Sequence, residues 1–65
     1  MSIRELEIQL EEAIVRRDFA ERELDRMQRA GESPEAIDKA DEAARLANLD
    51  VSLAQERVNE AKKGP

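Results

Sequence analysis

Apolar residues recur along this chain at alternating steps of three and four, over two long stretches. The first is Ile3, Leu6, Leu10, Ala13, Ala20, Leu24 and Met27, with Arg17 occupying the one polar place in the series. The second is Ile37, Ala40, Ala44, Ala47, Val51, Ala54, Val58 and Ala61, without interruption. This is the spacing of a helix that offers one stripe to another helix. Between the stretches stands "RAGESPEA". Gly31 can take the left-handed conformation after a helix end, Ser33 can cap the next helix, and Pro34 suits its first position. The pattern predicts a helix over about 2–29, a turn over 30–33 and a second helix over about 34–62. Glu5, Glu7, Glu11 and Glu12 lie early in the first helix, and Arg26 and Arg29 lie late. Lys62 and Lys63 lie late in the second, so both helices complement their own dipoles, and "GP" stops the second.

Folding the chain back at the turn pairs Met27 with Ile37, Leu24 with Ala40, Ala20 with Ala44 and Arg17 with Ala47. It then pairs Ala13 with Val51, Leu10 with Ala54, Leu6 with Val58 and Ile3 with Ala61. The residue numbers of every pair add to 64, as an antiparallel pair joined by one short turn requires. Bulky residues mostly meet small ones, which lets the axes approach closely. The expected fold is all-α: residues 1–65 as one antiparallel two-helix hairpin with an alanine-rich seam, each arm about 40 Å long. At Arg17 the stem is expected to cover Ala47 while the guanidinium reaches water. The alternative is a buried charge that fixes the pairing.

The stripe that makes the hairpin does not use all the large apolar residues. At about 100° per residue, Ile8, Val15 and Phe19 fall on the far side of the first helix, and Leu46, Leu49 and Leu53 on the far side of the second. In the hairpin register Val15 is level with Leu49, and Ile8 and Phe19 lie within about a turn of the levels of Leu53 and Leu46. A two-helix hairpin has nothing of its own with which to cover them, so they are the candidate partner-binding residues. The outer stripe of the first helix continues into Arg22, Arg26 and Arg29, a candidate basic rim for an acidic partner. The simpler reading of that row is a solvated face among Glu and Asp neighbours. Glu42, Glu56 and Glu60 flank the leucines of the second helix as a candidate acidic rim.

Composition narrows the chemistry. The 65 residues contain no histidine and no cysteine. Disulfides, thiolate nucleophiles, histidine bases and most transition-metal sites are thereby removed, which suits a cytoplasmic protein. Charged residues make up 42% of the chain and Phe19 is its only aromatic, a composition of long helices. With 16 acidic against 11 basic residues the net charge is −5, which opposes binding to a phosphate backbone. No apolar run approaches the ~18 residues of a membrane span, and "MSIRELEIQLEE" is acidic where a signal peptide would be basic. The initiating Met and the terminal "KKGP" give the expectation of a whole chain. Carboxylates such as Glu11 and Glu12, or Asp41 and Glu42, are adjacent on helices and diverge. There is no phosphate loop and no nucleophile with a base, so no catalytic, cofactor-binding or metal-ligating residue is expected and the chain reads as a non-enzyme.

The stretch "RMQRAGESPEAIDKADEAARLANLDVSLAQERV", two helices through a glycine-containing turn, resembles the small co-chaperones of the type III secretion needle subunit. The resemblance covers roughly Leu10 to Val58. It implies a hairpin that binds a tetratricopeptide-like chaperone, the two together keeping the needle subunit monomeric in the bacterial cytoplasm. The outer stripes would then be the docking surface. Other readings stand beside it: a homodimeric four-helix bundle around the same six residues, or a small phage or plasmid inhibitor. A dimeric bundle of this size also resembles the plasmid copy-number RNA-binding hairpins, a reading that the acidic balance opposes.

Overall fold

The computed structural model describes residues 2–64. It contains two helices, α1 (Ile3–Ala30) and α2 (Pro34–Lys63), packed side by side as a hairpin 51 Å long and about 14 Å thick. Each end has an identifiable cause. Ser2 caps α1: its Oγ accepts the Glu5 N–H at 3.2 Å and donates to the Glu5 carboxylate at 3.3 Å. Gly31 closes α1 at φ 68°, ψ 36°. Its N–H is donated to the Gln28 carbonyl at 3.3 Å, and that of Glu32 to the Met27 carbonyl at 3.1 Å, the paired bonds of a Schellman turn. Two residues later Ser33 caps α2 by accepting the Ala36 N–H at 3.2 Å, and Pro34 fills the first position, where no N–H is needed. The connection is therefore short, and its bonds engage the Met27 and Gln28 carbonyls on one side and the Ala36 and Ile37 N–H groups on the other.

The seam between the helices is the one that the spacing of apolar residues defines. Ala13, Ala44, Ala54 and Val58 are buried, and the remaining seam residues are half-buried apart from Ile3. Three of the four buried residues are alanines for a geometric reason. At Ala13, Ala44 and Ala54 the opposite helix covers the short methyl group, whereas a leucine or methionine in the seam extends past the partner into the open flanks. Ile3, at the open end and level with Ala61, is 41% exposed because no further turn of helix lies beyond it to cover it.

Arg17 is half-buried, but its guanidinium is held at the surface by its own helix. Nη2 lies 3.1 Å from Asp18 and Nε 3.6 Å from Glu21. Among the described residues no polar or charged side chain is buried, so Arg17 covers the seam with its stem and buries no charge. Across the helices Lys62 approaches Glu7 at 3.7 Å; the other ion pairs are within one helix.

A compact protein of 7.4 kDa exposes about 4,200 Å². This hairpin exposes 5058 Å². The excess is the cost of having only two layers, and it falls partly on large apolar side chains.

Candidate functional site

Ile8, Val15, Phe19, Leu46, Leu49 and Leu53 are all exposed, from 41% for Ile8 to 67% for Val15. The seam closes without them. Their levels along the rod cluster around its middle, since Val15 is opposite Leu49 and the other four lie above and below that pair.

The six do not form one face. A groove of about 170 Å³ runs along one side of the seam. Ala13 and Ala54 form its floor, with Gln9, Glu12 and Arg16 on one bank and Asp50, Leu53 and Arg57 on the other. Residues seven apart share a row on a helix, so Phe19 continues the row of Glu12, and Leu46 continues that of Leu53. The register places Phe19 and Leu46 at nearly one level. Phe19, Leu46 and Leu53 therefore belong to the grooved side of the hairpin. Ile8, Val15 and Leu49 lie on the rows that point straight away from the seam, one on each outer edge.

The opposite side of the hairpin is different in character. It is marked by the Glu7–Lys62 pair, and its rows run Glu7, Ile14, Glu21, Gln28 on α1 and Asp41, Asn48, Gln55, Lys62 on α2. Ile14 is its one apolar member and is half-buried against the seam. Sequence reasoning left Ile14 unassigned; its place beside Ala13 in the seam was the available signal. One side of the hairpin thus exposes no large apolar side chain, and the other carries Phe19, Leu46 and Leu53 among charged residues.

The basic row differs from residue to residue. Arg26 is held by Glu23 through a two-pronged contact at 2.8 and 3.3 Å, and Arg29 by Asp25 at 3.1 Å. The hydrogen bond and charge of Arg26 hold the Glu23 carboxyl below its ordinary value and, reciprocally, raise that of Arg26. Arg22 makes no ion pair among the described residues. Glu42 and Glu56 are likewise unpaired there, while Glu60 approaches Lys63 at 3.7 Å. Two of the three arginines are thus already partnered within α1, and Arg22 is the unpartnered cation of the row.

No group of three or more acidic side chains among the described residues is arranged to hold a metal ion, and no helix among them is long and apolar enough to cross a membrane. No protein family, characterised protein or solved structure matches the chain. The placement of the exposed apolar residues is what bears on function.

Proposed function

We propose that this chain is a protein–protein interaction module, an adaptor or co-chaperone hairpin whose outer apolar residues are covered by a helical partner protein. One observation carries the reading: six large apolar side chains, 41% to 67% exposed, gather at the middle of a rod whose seam is complete without them. Isolated exposed leucines are ordinary on proteins; six around the middle of so small a rod, on its grooved side and its two outer edges, are more apolar surface than a protein of this size ordinarily leaves uncovered. The rod itself supplies a short, stiff, pre-ordered ligand, which lowers the ordering cost of association. A cytoplasmic location accompanies this reading, and co-chaperoning of a secretion subunit is its most specific form, resting on the resemblance in layout alone.

The test is capture from the source cell with the parent chain and with Val15→Asp/Leu49→Asp, a variant altered only on the outer edges. A partner retained stoichiometrically by the parent and lost by the variant, with helicity intact in both, is the expected result. Adding that partner at ~100 times its dissociation constant should stabilise the hairpin by about 2.7 kcal/mol. Equal retention by parent and variant, or no stoichiometric partner, overturns the proposal.

A further inference from the structure

The grooved side carries two rows of four residues at seven-residue spacing. On α1 the row is Glu5, Glu12, Phe19, Arg26; on α2 it is Lys39, Leu46, Leu53, Glu60. Each row is opposite in charge at its two ends; the middle is apolar on α2, with Leu46 and Leu53, and mixed on α1, with Glu12 and Phe19. Glu60 lies in the last turn of α2, where the dipole disfavours an anion and Lys63 approaches it at 3.7 Å, and Lys39 has no ion pair among the described residues. A row of this kind is complementary to itself when laid antiparallel on a second copy.

We infer that the grooved side is the interface of a homodimer, in which a twofold axis perpendicular to the rod lays each hairpin antiparallel on another. This inference rests on the reading of the chain as an interaction module, and it assigns one surface of it. The axis is located by the residues. The row on α1 has its midpoint between Val15 and Arg16, and the row on α2 between Leu49 and Asp50. The hairpin register makes Val15 level with Leu49, so the midpoints coincide to within about one residue, ~1.5 Å along the rod. One axis therefore serves both rows.

About that axis Lys39 meets Glu60 of the second copy, Leu46 meets Leu53, Glu5 meets Arg26, and Phe19 lies against the aliphatic stem of Glu12. Arg16 and Asp50, which line the groove beside the midpoints, each come near their own counterpart across the axis, and with one charge of each sign from each copy the centre is neutral in sum and stays hydrated. The other closed arrangement, a twofold axis along the rod, places equal levels together. It would put Glu5 beside Glu60 and Arg26 beside Lys39, like charge on like at both ends. Ile8, Val15 and Leu49 stay outside the antiparallel interface, free for a different partner.

Within one chain Lys39 and Glu60 are 21 positions apart on one helix, about 31 Å at ~1.5 Å per residue, and cannot compensate each other. A charge swap therefore reports on contacts between copies. Sedimentation equilibrium at low salt on the parent, Lys39→Glu, Glu60→Lys and the double variant, each checked for helicity by circular dichroism, should show a dimer in the parent. Each single reversal should raise the dissociation constant roughly tenfold or more, and the double variant should return to within about threefold of the parent. A parent that is monomeric at all concentrations, a double variant as weak as the singles, or a Lys39→Glu variant that tightens the dimer would each overturn the inference. These outcomes are separate from the capture experiment, because Val15→Asp/Leu49→Asp does not touch the two rows.

Discussion

Val58 and Val15 offer the same residue type within a helix in opposite surroundings: one is 2% exposed in the seam and the other 67% exposed on the outer edge. Replacing each by alanine removes the same two carbons. At Val58 the lost transfer energy is about 1.6 kcal/mol, from ~0.8 kcal/mol per carbon, with a cavity contribution added because Leu6 and its neighbours relax only in part. Alanine returns about 0.5 kcal/mol of helix propensity. The net loss is about 1.5 kcal/mol. At Val15 only about a third of the side chain is covered, so the lost burial is ~0.5 kcal/mol and the propensity gain cancels it. In a domain of this size, 1 kcal/mol shifts Tm by about 4–8 °C. Val58→Ala should therefore lower Tm by roughly 6–12 °C and Val15→Ala should leave it nearly unchanged, read by ellipticity at 222 nm at several protein concentrations. Equal losses at the two sites would refute the placement of the seam. A large loss at Val15 in the isolated chain would show that something covers the outer edge there.

Three further outcomes follow from the helix ends and surface charges. Gly31→Ala should cost about 1–2 kcal/mol, because nothing crowds a Cβ at that position and the penalty is that of φ 68° for an L-residue, measurable by urea unfolding. Ser33→Ala should cost about 1 kcal/mol by removing the acceptor for the Ala36 N–H, while Ser33→Asp should restore most of it. In a carboxyl-detected NMR titration Glu23 should titrate below 4.5, and Arg26→Ala should move its midpoint up toward that value. Because the folded value is the lower one, the Glu23–Arg26 contact is present above the unfolded value and is lost as pH falls through the folded one. Because Arg26 is exposed and solvent also reaches Glu23, the titration midpoint and not the melting temperature is the sensitive readout.

The hairpin could be read from the chain because its determinants are local or periodic. Gly31, Ser33 and Pro34 announce the turn by their own backbone preferences, and the three-four spacing names the seam residue by residue. Ile3 departs from the series because periodicity says which way a side chain points and nothing about whether helix continues beyond it. Ser2 and Glu5 close the first turn together, a pairing that depends on side-chain rotamers. The outer residues were legible as surplus to the seam but not as two sets. Phe19 differs from Val15, and Leu46 and Leu53 from Leu49, by about 40–60° around a helix. That angle acquires meaning only when the two helices define a grooved side and a plain side. Partner identity lies further out of reach, since it is a property of two surfaces and one sequence describes only the first.

The paired bonds at Gly31 and Glu32 also give the molecule a direction in time. Contact between Met27 and Ile37 closes a loop of about ten residues, which takes on the order of 10–100 ns, whereas Ile3 meets Ala61 only after almost the whole chain has been brought together. Once the turn is made, each successive pair has its partner already nearby. Assembly should therefore run as a zipper from the turn toward the termini, and opening should run in reverse. Amide exchange on the seam face should slow progressively from Leu6 and Val58 toward Leu24 and Ala40, a gradient of protection along a rod whose cross-section hardly changes.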